Sequence, residues 1–226
     1  MTPGCAEDMP PRFGTVLFDL DGTVVDTVAL IRESHRHAVR TVLGLDLSDD
    51  ELTSNVGRPL IDQMRALSEE HAEALVAAQR SWNHAHTAEL IASYPGMDDL
   101  LRRLHEAGCR IGIVTSKSRS ATDLVFEALP EIARYLDDVV GLEDSATHKP
   151  GPEPVRVALE HLDGLPGDAC FVGDAPFDIA AGNTAGVVTI GVTWGFFDRT
   201  ALNAEHPDFV VDEIPALDAL LLGGGS

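Results

Sequence analysis

Apolar residues in this chain collect into short unbroken runs, with few of the alternating patterns of half-buried strands. The runs are TVLFDLD (15–21), RIGIVTS (110–116), DVVGLED (138–144), ACFVGD (169–174) and VVTIGVTW (187–194), with a weaker FVVDEI at 209–214. A continuous apolar strand is covered on both faces, which predicts a parallel sheet between helix layers. From residue 110 onward the runs alternate with helix-compatible segments, as in an α/β doubly wound fold.

The region from Asp26 to Pro95 breaks this rhythm and reads as helical, without a strand. TVALIRESHRHAVRTVLGL has helical periodicity and ends on Gly44, SDDEL opens a helix capped by Ser48, and EEHAEALVAAQRSWNHAHTAELI is a long helix closed by YPG. The expected organisation is an α/β core of residues 1–25 and 96–226, interrupted by an all-helical insertion at 26–95. His35 and His37, like His84 and His86, are two apart on helices. Neither pair shares a face, and all four read as surface or half-buried histidines.

Composition narrows the possible partners. The 226 residues hold 37 acidic against 16 basic side chains, a formal charge of -21. Such a surface repels nucleic acid and anionic lipid, so neither is an expected partner, and an anionic ligand needs a local positive site. Cys5, Cys109 and Cys170 lack metal-ligand spacing and read as reduced and mostly buried, which suits the cytoplasm. The opening MTPGCAEDMPPR has no signal-peptide pattern, no run is long enough to span a membrane, and the final GGGS reads as a flexible tail.

The chemistry-bearing residues fall at the carboxyl ends of the predicted strands, where open α/β sheets bind ligands. Asp19 and Asp21 end the first, Thr115, Ser116 and Lys117 the second, and Asp174 and Asp178 follow the fourth. Lys149 lies in the loop after the third. Two adjacent carboxylates repel, so the Asp19–Asp21 pair calls for a cation or a shared proton. The only two lysines, Lys117 and Lys149, both fall in these loops, while the other 14 basic residues are arginines. A lysine among arginines suggests a compact point charge. Lys117 reads equally as a phosphate contact or a solvated loop charge. Asp26 reads as a helix N-cap, and Thr23 reads equally as closing the turn after Gly22 or as serving the site. Arg58 in GRPL reads either as a contact to a substrate anion or as a surface arginine.

These motifs, DLDGT with VVDT, Thr115, Lys149 in KPGPEP, and GDAPFD, stand in the order of the four motifs of the haloacid dehalogenase-like superfamily. The chain resembles its magnesium-dependent phosphatases with a helical cap. GRPL (57–60), GNTAG (182–186) and TWGF (193–196) resemble the phosphoglycolate phosphatase and pyrophosphatase-like branch. Ser116 and Ala175 depart from it, standing where Asn and Ser are frequent.

The resemblance implies a phosphatase acting on a small phosphorylated metabolite, as a monomer or homodimer. It makes Asp19 the nucleophile and Asp21 the acid and base. Mg²⁺ is then held by Asp19, the Asp21 carbonyl and Asp174, with Asp178 orienting a water or Lys149. Thr115, Ser116 and Lys149 bind the phosphoryl oxygens. A sugar phosphomutase on the same scaffold is the alternative, and Thr23 leans away from it. A phospho-accepting signalling module would lack the helical insertion.

Overall fold

The computed structural model describes residues 11–223. Cys5, the opening segment and the last three residues of GGGS lie outside that range. In chain order the elements are β1 (Thr15–Phe18), β2 (Val25–Asp26), α1 (Val28–Leu43), α2 (Asp49–Thr53), α3 (Leu60–Leu67) and α4 (Ala72–Leu90). Then come β3 (Ala92–Ser93), α5 (Met97–Glu106), β4 (Arg110–Val114), α6 (Arg119–Ala128), α7 (Pro130–Ala133), β5 (Asp138–Val140) and α8 (Glu153–His161). The chain closes with β6 (Ala169–Gly173), α9 (Pro176–Ala185), β7 (Val188–Val192), α10 (Arg199–Asn203), β8 (Phe209–Val211) and α11 (Ile214–Leu222).

Six strands form one sheet in the order β5-β4-β1-β6-β7-β8, every pair parallel. The unbroken apolar runs follow from burial on both faces. Val16, Phe18, Cys170 and Val172 point into one hydrophobic layer with Met97, Leu101 and Leu217 from α5 and α11. Leu17 and Phe171, between them in sequence, point the other way onto Val155, Leu159 and Ala181 of α8 and α9. The topology puts β1 at the centre, so its carboxyl end opens where the strand order reverses direction.

Helices α1 to α4 enclose a separate apolar cluster of Ala38, Val39, Leu52, Met64, Leu75 and Val76. Ser48 caps α2 as its sequence suggests, its hydroxyl facing the Glu51 N–H while the Glu51 carboxylate accepts from the Ser48 N–H at 2.8 Å. One expectation is corrected. The stretch read as strand-free contains β3, which pairs antiparallel with β2 through Val25–Ser93 and Asp26–Ala92. A strand of two residues carries no periodicity, so no pattern could announce it. This ribbon carries both passages of the chain between the sheet and the four helices. Asp26 does serve the start of α1, one residue earlier than a formal cap, with its Oδ1 accepting from the Val28 N–H at 3.2 Å. No helix of the described residues is long and apolar enough to cross a membrane.

Candidate active site

The site is built on the turn that follows β1. Leu20 accepts from the N–H groups of Val24 and Val25, and Gly22 donates to the Val25 carbonyl, folding the chain back at once. Gly22 sits at φ 83°, and a Cβ there would stand 2.5 Å from Asp174 Oδ2. Only glycine lets the turn press against that carboxylate.

Asp19 is 4 % exposed and lies at the centre. Lys149, buried beneath it, donates to Asp19 Oδ1 at 2.5 Å, to Asp178 Oδ1 at 2.7 Å and to the Val114 carbonyl at 3.2 Å. The second Asp19 oxygen accepts none of the hydrogen bonds among the described residues. Asp178 is committed at both oxygens, since its Oδ2 accepts from the Ala175 N–H at 3.0 Å. Asp178 thus aims Lys149 at Asp19. Asp174 is fixed by the Thr23 hydroxyl at 3.1 Å and the Phe196 N–H at 2.7 Å.

The remaining expected residues line one cavity between the sheet and the helical unit, with Asp19, Asp21, Arg58, Thr115, Ser116 and Lys117 on its wall. Lys117 is no solvated loop charge: its Nζ lies 3.0 Å from Asp21 Oδ1, and both side chains are largely buried. The approach is off the hydrogen-bonding direction, so that oxygen has a charge partner but no hydrogen bond. Thr115 Oγ1 accepts from the Lys117 N–H at 3.2 Å. Ser116 donates to the Gly57 carbonyl at 2.6 Å, tying the loop before α3 to the end of β4. Arg58 lies over the Phe177 ring at 5.6 Å, and its Nε is buried without a partner.

Electrostatics mark the centre as starved of positive charge. Burial pushes the Asp19 carboxyl up to about 7, with Asp178 and Asp21 adding to the effect and Lys149 opposing it. Asp174 is held well above the usual carboxylate range, by burial first and then by Asp19 and Asp178. Burial works against the charge on Lys149, but Asp178 and Asp19 outweigh it and keep the ammonium above its ordinary range. With all groups ionised, four carboxylates against Lys149 and Lys117 leave a formal excess of two negative charges. Oxygens of Asp19, Asp174 and Asp178 lie within 4.8 Å of one another, a hard donor set able to hold a metal ion. A divalent cation matches both the donors and the missing charge.

Thr23, open between two roles in the sequence, reaches Asp174 as well as standing in its turn. One participant was not legible as such. TWGF supplies the Phe196 N–H to Asp174 and the Trp194 ring N–H to the Thr23 carbonyl at 3.1 Å. The signal was TWGF's place after an apolar strand, but a backbone donor has no residue signature. His35, expected at or near the surface, is instead 1 % exposed, with its ring Nδ1 2.8 Å from the Leu52 carbonyl.

A parallel sheet that gathers aspartates and a buried lysine at its central strand ends, beneath a helical unit, defines an aspartate-centred α/β hydrolase. The chain belongs to the haloacid dehalogenase-like hydrolase family, whose profile matches residues 16–192. It is similar to the pyrophosphatase PpaX of Bacillus cereus (strain B4264), 35% identical over 210 residues, covering 93% of this chain and 97% of the relative. A predicted phosphatase from Clostridium acetobutylicum superposes with a TM-score of 0.82 at 26% identity, covering 91% of this chain and 96% of that one. The fold is shared also with a predicted phosphoglycolate phosphatase from Haemophilus somnus 129pt, at TM-score 0.82 and 21% identity, with coverage of 91% and 96%.

Proposed function

We propose that this hydrolase is a magnesium-dependent phosphatase of a small phosphorylated metabolite, working through an aspartyl phosphate on Asp19. The observation that carries this reading is the state of Asp19. One of its oxygens is pinned by Lys149, and the other is left without a hydrogen bond in a cavity open to a ligand. In the first step that oxygen bonds to phosphorus while the bond to the leaving oxygen breaks, and Asp21 passes a proton to the leaving group. In the second, Asp21 takes a proton from water, the water oxygen bonds to phosphorus, and the Asp19–phosphorus bond breaks. Thr115, Ser116 and Lys149 hold the phosphoryl oxygens, with Lys117 at the cavity wall.

Asp19, Asp174 and the Asp21 carbonyl would hold the metal, and Asp178 would keep Lys149 in place. Bound there, Mg²⁺ neutralises phosphoryl and carboxylate charge. Residues 26–95 act as a cap over the core of 1–25 and 96–226, with β2 and β3 as the hinge. The name of the PpaX relative puts pyrophosphate among the substrates to test, and Arg58, on the cavity wall, is the candidate contact for an anionic group on the substrate.

The test is phosphate release from a panel of phosphometabolites with Mg²⁺. Turnover should vanish with excess chelator and return with Mg²⁺. Asp19→Asn should fold normally by circular dichroism yet be inactive, because the amide is neither an anionic ligand nor an effective nucleophile. Near-normal rates in that variant would refute the covalent route, and full turnover in chelator would refute the metal.

A further inference from the structure

Asp21 differs from the other carboxylates of the site in how it is held. Asp19 accepts from Lys149, Asp174 from the Thr23 hydroxyl and the Phe196 N–H, and Asp178 from Lys149 and the Ala175 N–H. Neither carboxylate oxygen of Asp21 accepts a hydrogen bond among the described residues. Its backbone is fixed by the tight turn, which bridges Asp21 to Val25 and ties the Gly22 N–H to the Val25 carbonyl. Its side chain has a single anchor, the Lys117 ammonium 3.0 Å from Oδ1.

Lys117 is itself well fixed. Its N–H donates to Thr115 Oγ1 at 3.2 Å, and its carbonyl accepts from the Leu142 N–H at 3.0 Å, stapling it between the end of β4 and the loop after β5. Among the described residues, Asp21 is the one carboxylate within ion-pair distance of its ammonium. The Lys117 and Asp21 side chains are 10% and 14% exposed, so water and salt screen their attraction weakly. The chain's two lysines thus treat two carboxylates alike. Lys149 takes Oδ1 of Asp19 and Lys117 takes Oδ1 of Asp21, and each carboxylate keeps a second oxygen without a hydrogen bond on the cavity wall.

We infer that Lys117 is a positioning residue, whose ammonium holds Oδ1 of Asp21 so that Oδ2 stands toward the leaving oxygen of the substrate. This rests on the phosphatase reading above. There Oδ2 gives its proton to the leaving oxygen as the bond from that oxygen to phosphorus breaks. A carboxyl free to swing would miss that transfer, because proton donation needs hydrogen-bond reach at the moment of cleavage. The role is distinct from a contact to the phosphoryl group, and leaving groups tell the two apart. Nitro groups stabilise a departing phenolate, so dinitrophenyl phosphate needs little proton donation and phenyl phosphate needs much. Both esters carry the same phosphoryl group.

The test compares kcat/KM for phenyl phosphate and dinitrophenyl phosphate, both with Mg²⁺, since kcat/KM covers the step in which the leaving group departs. Lys117→Met keeps the length of the side chain without its charge. It should lower the ratio of the phenyl to the dinitrophenyl value by about ten-fold, a part of what general acid catalysis supplies, and Lys117→Arg should restore some of it. Crystal structures of the wild type and of Lys117→Met should show the Asp21 carboxyl turned from its place in the variant. A ratio within two-fold of wild type overturns the inference, and equal losses on both esters would make Lys117 a phosphoryl contact instead. An Asp21 carboxyl that keeps its place in the variant overturns it as well, whatever the rates. If the wild type releases no phosphate from these esters or from the metabolite panel, the phosphatase reading is refuted, and the inference with it.

Discussion

At the scale of single residues, the site shows how one buried lysine serves two carboxylates at once. Lys149 reaches Asp19 and Asp178 together, and its charge is secured by both. His35 shows the opposite economy. It is buried between α1 and α2, donates from Nδ1 to the Leu52 carbonyl, and is lowered to about 4 by burial first and then by Lys117. The sign is fixed by that depression. Between the ordinary value of 6.5 and about 4, the unfolded chain carries the proton and the folded chain does not. Stability from His35 is complete above pH 6.5 and is lost as pH falls toward 4. The loss amounts to roughly 2–4 kcal/mol. Urea unfolding followed from pH 7 to pH 4.5 should show this decline, and His35→Gln should flatten it. Equal slopes for both proteins would place the acid sensitivity elsewhere.

At the scale of elements, the loop before α3 sets the distance between the helical unit and the sheet. Gly57 holds φ 100°, and a Cβ there would lie 2.9 Å from the Ala175 Cβ and 3.1 Å from the Phe177 ring. Gly57→Ala combines backbone strain of about 1–2 kcal/mol with a collision against α9. The expected result is a drop of about ten-fold in kcat/KM, because the loop that carries Arg58 is pushed off its seat. Melting of the parallel sheet should barely move, since none of its strands includes this loop. A normal kcat/KM would mean that the loop docks without contributing to turnover.

The same scale explains what the sequence could and could not reveal. The strands of the central sheet are legible because burial on both faces leaves an unbroken apolar run, as in VLF (16–18) and ACFVG (169–173). Helix α2 is legible because a capping box has fixed chemistry at fixed spacing. The β2–β3 ribbon is not, since two residues per strand fall below any period. Asp19, Lys149 and Asp174 could be brought to one crevice by topology alone. The partner of Thr23 and the Phe196 N–H could not, because both meet Asp174 from segments far apart in the chain.

At the scale of the whole molecule, a formal charge of -21 surrounds a cavity whose cap wall is cationic. An anionic substrate must cross a repulsive field to reach an attractive pocket. Raising ionic strength from about 10 to 150 mM shortens the screening length from about 30 to 8 Å. That should lift kcat/KM for a multiply charged substrate and leave kcat nearly unchanged. A fall in kcat/KM with salt would show that the pocket wall, not the outer surface, governs the approach.

The hydrogen bond from Ser116 to Gly57 has a consequence for how such an enzyme empties itself. A hydroxyl owns one proton and cannot give it to two acceptors. In this structure that proton belongs to the Gly57 carbonyl and helps hold the loop down over the crevice. A phosphoryl oxygen that recruits it must take it from the loop. Lid and ligand are therefore rivals for a single donor, worth about 0.5–1.5 kcal/mol to whichever has it. On the proposed phosphatase reading, inorganic phosphate that draws on the Ser116 hydroxyl would loosen the latch that confines it.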